Sequence, residues 1–300
     1  MYSIETEKVR LVLEVVPVDS LFRHERIIPH IARKLILEFK NWVNLENPII
    51  IDENGIVLDG NHRAYVFQKL GFRYMPVCRI NYFHQGARLR YWFRMVEDAK
   101  DPEVIREIVE DHGGCVREVR DQEALRKCME DDCFCCGIQQ GDLFAIVRFD
   151  EKTVKDAVSA YEILEQVQDE LVRRGMRLDY IPCHYVDKTD FCTRLCETDA
   201  IIWTPRITKE MVVEAAKSEK VFAPKTTRHL IPARPLNVNV PTIWFKEKVS
   251  LEEINRRFTG FLQGKEVKRL APGQIIKGRY YEEELFVFLD KTQQAQREKT

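Results

Sequence analysis

The sequence has almost no net charge: 47 lysines and arginines stand against 48 aspartates and glutamates, leaving -1 with histidine neutral. Such a balance exerts no global pull on nucleic acid or anionic lipid, so any site of that kind has to be local. Long apolar runs are missing too. The opening MYSIETEKVR carries no basic segment ahead of an apolar core, and the apolar run after it is broken by Glu14 and Pro17. Neither a signal peptide nor a membrane span is therefore expected. Internal repeats and low-complexity segments are lacking, and only the closing KTQQAQREKT is polar enough to read as a disordered tail. The nine cysteines are odd in number and scattered. Without an export signal they read as reduced thiols of a cytoplasmic protein rather than a disulfide framework.

What is present is an ordinary globular composition, 45% hydrophobic and 32% charged over 300 residues, enough for two domains with substantial cores. LVLEVVPV (11 to 18) reads as a strand, and Ile28, Ile31, Leu35 and Phe39 recur at helical spacing. NPIIIDENGIVLDG reads as two short strands around the turn Asp52 to Gly55, and the spacing of Ala64, Phe67 and Leu70 predicts a helix ended by Gly71. MPVCRINY is a further strand. From about residue 100, helices (PEVIREIVEDHG, TVKDAVSAYEILEQVQDELVRRG, TKEMVVEAAKSEK) alternate with strands (LFAIVRF, LDYIP, AIIWTP). This alternation predicts a mixed α/β fold.

The chemistry concentrates in two stretches. In VLDGNHRAYVFQKLG (57 to 71) an acid, a glycine, a histidine and an arginine stand where a strand becomes a helix. The unpaired amides and partial positive charge of a helix N-terminus suit a phosphate, with His62 and Arg63 adding donors around Gly60 and Asn61. Asp59 would repel a phosphate unless a cation lies between them, which suggests Mg2+. The alternative is structural: Asp59 caps the helix and His62 and Arg63 make ordinary hydrogen bonds. The second stretch, VFAPKTTRHLIP (221 to 232), packs Lys225, Thr226, Thr227, Arg228 and His229 between apolar flanks. Such a set of donors suits an anion or an amino-acid carboxylate, whereas alone it would read as a solvated charge run.

These residues carry a resemblance. Asn47-Pro48-Ile49 followed by Asp59-Gly60-Asn61-His62-Arg63 resembles the ParB/sulfiredoxin-like superfamily, where an N-P-I strand precedes a D-G-x-H-R turn that binds nucleotide phosphates. His24-Glu25, Trp92 and above all PKTTRH narrow it to the free L-serine kinases of that superfamily, which make O-phospho-L-serine. The matching segments run through residues 11 to 240. The resemblance implies a ParB/sulfiredoxin-like nucleotide-binding domain over 1–97, a second α/β domain over 98–240 that brings PKTTRH to the active-site cleft, and a C-terminal extension over 241–300. It implies Glu25 as general base, Asp59 supporting metal and phosphate, and Asn61, His62 and Arg63 on the nucleotide phosphates. Trp92, Lys225, Thr227 and His229 would hold L-serine, with Thr226 and Arg228 completing the anion-binding loop. ATP or ADP is the implied co-substrate, with Mg2+.

Many relatives read D-G-H-H-R where this chain has Asn61, which can donate to a phosphate but cannot carry a charge. Sulfiredoxin chemistry needs a cysteine in this turn, and LDGNHR has none. A nucleotide-dependent DNA-binding protein is the runner-up on the basic, aromatic RLRYWFR (88 to 94), but no helix-turn-helix follows it. A third reading assigns a metal or haem to Cys128, Cys133, Cys135, Cys136, Cys183, His184, Cys192 and Cys196, although their spacing fits no zinc template. His30, His84 and His112 read as structural or surface residues. Three roles stay open for the last segment: closing the fold, homodimerisation or docking a partner. Cysteine synthesis, primary serine metabolism and siderophore-precursor synthesis would all draw on phosphoserine.

Overall fold

The computed structural model describes all residues except 8, 42, 100, 133, 188–197 and 292–300. Cys133, Cys192, Cys196 and nearly all of the polar tail therefore lie outside the described residues. Among those described, no helix is long and apolar enough to cross a membrane.

Two compact units emerge, and their boundaries differ from those expected. The first combines residues 1–88 with 229–300; the second is the insert 89–228. In the first unit a five-stranded sheet runs Tyr2–Glu5, Arg10–Pro17, Tyr74–Arg79, Ile49–Ile51, Val57–Asp59. The pair Ile49–Ile51 with Tyr74–Arg79 is parallel and the other pairings are antiparallel. Ile49, Ile50 and Ile51 are all buried, as a continuous apolar run inside a sheet requires. The helices Pro29–Asn41 and Asn61–Lys69 pack together, with Phe39 edge-on to Phe67 at a centroid separation of 5.2 Å.

The stretch expected as a separate extension is built into this unit. Ile254, Phe258 and Leu262 form the fully buried stripe of the helix Leu251–Gln263. From the same helix Asn255 exchanges two hydrogen bonds with the backbone of Val15: Oδ1 accepts from its N–H at 2.9 Å and Nδ2 donates to its carbonyl at 2.8 Å. Val15 lies beyond the last residue that the strand Tyr2–Glu5 pairs with. A side-chain amide there supplies the donor and acceptor of a missing strand. A three-stranded sheet completes the unit: Ala233–Leu236 parallel to Glu284–Asp290, which is antiparallel to Lys265–Leu270.

The second unit is a seven-stranded sheet in the order Arg177–Pro182, Arg88–Glu97, Ala200–Trp203, Cys136–Gln140, Leu143–Phe149, Gly114–Val119, with Thr227–Leu230 also pairing Arg88–Glu97. Phe93, Leu125, Met129, Ile146, Ile181, Ile201 and Trp203 form its core. RLRYWFR is thus strand rather than an open basic patch: Phe93 and Arg94 are buried within it. Cys135 and Cys136 are buried as well, and burial first of all pushes both thiols up, Cys135 to about 12. Among the described residues no group of three His, Cys, Asp or Glu side chains is placed to hold a metal ion. Cys135 and Cys136 thus pack as small buried apolar side chains.

Candidate active site

The strand Val57–Asp59 runs into the helix Asn61–Lys69 through Gly60, whose φ of 102° lies in the left-handed region. A Cβ there would meet Ile49 Cγ2 at 2.5 Å, so both conformation and space call for glycine. The helix start has no side-chain cap, which disposes of Asp59 as capping residue and leaves the first-turn amides for a ligand. Asn61 Oδ1 is buried without a partner among the described residues. Turning that amide about its bond presents the Nδ2 donors at the same place.

Asp59 is paired with two arginines. Its Oδ2 accepts from Arg63 Nη2 at 3.3 Å and from Arg234 Nη1 at 2.5 Å. Burial works against its charge, but Arg234 and then Arg63 outweigh it and hold the carboxyl well below the usual carboxylate range. A carboxylate already bonded to two guanidiniums is a poor resident ligand for Mg2+. Arg63 also donates from Nη1 to the Asn47 carbonyl at 2.6 Å, which ties the N-P-I segment to the turn. Arg234, 9% exposed, makes its second bond from Nε to Glu283 Oε1 at 2.7 Å. Neither Arg234 nor Glu283 was among the expected site residues; a lone Arg in ARPL offers no motif, and only tertiary structure brings it to the turn.

The His24-Glu25 pair lies in the same unit. His62 Nε2 accepts from the Ile28 amide at 3.0 Å, so the proton of a neutral ring sits on Nδ1 and the Glu25-bearing segment is fastened to the phosphate turn. His62 is thereby partly committed to structure. His24 is fully buried; burial above all lowers its pKa, against the pull of Glu25, and keeps the imidazole neutral. Its Nε2 is 3.9 Å from Glu25 Oε1, and its ring meets that of His229 edge-on at 5.3 Å. His229 in turn shares a hydrogen bond of 2.8 Å with the hydroxyl of buried Tyr82. Glu25 and the last residue of PKTTRH, far apart in sequence, are thus joined through His24. Tyr82 was missed because a tyrosine in a strand-end INY has no signal of its own.

The rest of PKTTRH belongs to the second unit. Trp92 donates from Nε1 to the Thr227 carbonyl at 3.2 Å, and its ring carries Lys225 Nζ at 5.3 Å and the Arg228 guanidinium at 5.6 Å. Two cations over one indole ring form a surface suited to a carboxylate. Lys225 itself has φ 60°, a left-handed residue in the loop. Buried Arg94 holds that loop, donating to the carbonyls of Trp92 at 2.7 Å and Lys225 at 3.2 Å while its Nε bonds Gln168 at 2.7 Å. Thr226 departs from expectation: fully buried, it donates its hydroxyl to the Ala223 carbonyl at 2.8 Å and so supports the turn instead of facing a ligand.

No family model matches the chain. An ATP-dependent L-serine kinase of Staphylothermus marinus is 25% identical over 236 residues, which cover 76% of this chain and 88% of that protein. The ADP-dependent L-serine kinase SerK of Thermococcus kodakarensis is 24% identical over 247 residues, 80% of this chain and 94% of that protein. Over most of its length the chain is similar to free L-serine kinases. A ParB-like protein of Sulfolobus acidocaldarius is 25% identical over 219 residues, 73% of this chain and 90% of that one. The fold agrees: a free serine kinase in complex with AMP superposes with a TM-score of 0.62 at 24% identity, covering 81% of this chain and 97% of that one. SbnI of Staphylococcus aureus with a C-terminal truncation gives 0.64 at 20% identity, over 84% and 95%.

Proposed function

We propose that the protein phosphorylates the hydroxyl of free L-serine with an adenine nucleotide, giving O-phospho-L-serine. The observation that carries this reading is the junction of Glu25 with His229 through the buried His24 ring, in the unit that also holds the Asp59 to Arg63 turn. The sequence kinship with ATP- and ADP-dependent L-serine kinases supports it.

In this reading the uncapped amides of the helix Asn61–Lys69, with Asn61 and Arg63, cradle the nucleotide phosphates. Trp92, Lys225 and Arg228 would receive the serine carboxylate, and His229, oriented by Tyr82, would also bind the amino acid. Glu25 takes the proton as the serine Oγ attacks the terminal phosphorus. The new Oγ–P bond forms while the bridging P–O bond breaks, and its electron pair leaves with ADP when ATP is the donor or with AMP when ADP is. Neutral His24 fixes the Glu25 carboxylate without competing for its charge. Mg2+ would enter with the substrate as the magnesium nucleotide and would neutralise phosphate charge there. Asp59, paired with two arginines, holds the shape of the turn.

The test is direct. Purified protein is incubated with Mg2+, L-serine and either ATP or ADP, and phosphoserine and spent nucleotide are scored by mass spectrometry. Phosphoserine with one donor establishes the activity and names that donor. Its absence with both, accompanied by DNA-stimulated CTP hydrolysis, would instead support the DNA-binding branch of the superfamily.

A further inference from the structure

The segment beyond residue 240, for which the sequence left open closing the fold, dimerisation or docking a partner, contains a hairpin tied to the phosphate turn. Its strands Gln274–Ile276 and Arg279–Tyr281 pair antiparallel around Lys277 and Gly278, with φ of 49° and 78°. Two consecutive positive φ values are the signature of a tight primed turn, which fixes the direction of the residues flanking it.

Both ends of the hairpin are tied to the site. At the tip, Lys277 Nζ is 2.5 Å from Glu46 Oε1. Glu46 precedes Asn47, whose carbonyl accepts from Arg63. At the base, Tyr281 is buried against Leu236 and Leu285, and Glu283 holds Arg234, which holds Asp59. Between these anchors stands Arg279. Its guanidinium stacks on the Tyr281 ring at 4.7 Å, and among the described residues it has no carboxylate partner. Its charge nevertheless reaches the turn, helping to hold the Asp59 carboxyl low and opposing the charge on Arg63. Arg63 and Arg234 are both committed to carboxylate and carbonyl oxygens, whereas Arg279 is an exposed, ring-supported cation beside the same turn.

We propose that Arg279 binds the phosphate chain of the nucleotide, and that the hairpin 274–281 is part of the nucleotide site in this protein. The inference rests on the kinase reading for the identity of the anion and on the hairpin geometry for the residue. A guanidinium stacked on an aromatic ring is oriented in advance and loses little freedom on meeting a phosphate fork. Its contribution grows with the number of phosphates, since its partner is their charge and not the base or ribose.

Adenosine, AMP, ADP and ATP are titrated calorimetrically into wild type and Arg279→Gln, and steady-state kinetics are measured with L-serine varied. The expected result is a loss of about tenfold in affinity for ADP and ATP, a smaller loss for AMP, none for adenosine and an unchanged KM for L-serine. Arg279→Lys is expected to recover part of the loss through its charge, and Lys277→Ala to reproduce part of it by loosening the tip. Equal affinities of wild type and Arg279→Gln for all the phosphorylated nucleotides, within twofold, would overturn the proposal, as would a loss that extends to adenosine. A wild-type protein that binds ADP but makes no phosphoserine would overturn the kinase reading alone, because the nucleotide titrations still decide the role of Arg279.

Discussion

Replacing Arg234 by methionine tests the claim that the phosphate turn is braced from the C-terminal part of the chain. The side chain is 9% exposed and donates to Asp59 at 2.5 Å and to Glu283 at 2.7 Å. A charge-assisted hydrogen bond contributes roughly 1.5–3 kcal/mol. The Asp59 side chain is 33% exposed and keeps Arg63, so its loss is discounted to ~1 kcal/mol for solvent screening. Glu283, 12% exposed, loses its cation inside the fold, which costs ~2 kcal/mol. The sum, ~3 kcal/mol, lowers the Tm of the first unit by roughly 6–12 °C. The pH dependence has a definite sign. The folded Asp59 carboxyl is held low, so the stability it lends is present above its unfolded pKa of ~3.9 and is lost as pH falls through the folded value. The gap between wild type and Arg234→Met is therefore full at neutral pH and narrows below ~4. Differential scanning calorimetry across that range is the assay, and Arg234→Met with Glu283→Gln should regain ~2 kcal/mol. A Tm within ~2 °C of wild type at neutral pH would refute the brace.

Three further outcomes follow from the site. Glu25→Gln should lower turnover by ~10²–10⁴ with an unchanged Tm, measured as phosphoserine formation; full activity would remove Glu25 from the chemistry. Trp92→Leu deletes the ring under Lys225 and Arg228 and the bond to the Thr227 carbonyl, and should raise the KM for L-serine about tenfold while leaving nucleotide affinity unchanged, as read by steady-state kinetics. His24 is neutral in the fold with its pKa lowered, so the unfolded chain binds more protons at acid pH and stability falls as pH drops below the unfolded value of ~6.5, by ~1.4 kcal/mol per unit down to the folded pKa. Urea unfolding of wild type and His24→Gln between neutral pH and the acid limb should show this slope in the former and lose it in the latter.

The sequence alone determined the local chemistry: the turn at Asp59 to Arg63 needs glycine next to donors at a helix start, and a strand, a Gly60 and an amphipathic helix in that order specify it within a short stretch. Periodicity likewise placed the helices near Pro29–Asn41, Pro102–Asp111, Ala157–Arg173 and Lys209–Lys217, since each buries one stripe. The family resemblance picked Glu25 and His229, but not the buried His24 ring that joins them, because edge-on packing of two imidazoles depends on where separate segments end. Tertiary structure alone decided that residues beyond 228 return to the first unit, where Asn255 completes the hydrogen bonding of Val15 and Arg234 neutralises Asp59. Such long-range polar pairings leave no periodic trace in sequence. They exist because a sheet edge and a half-buried carboxylate each need a partner, and the fold, not the neighbouring residues, delivers it.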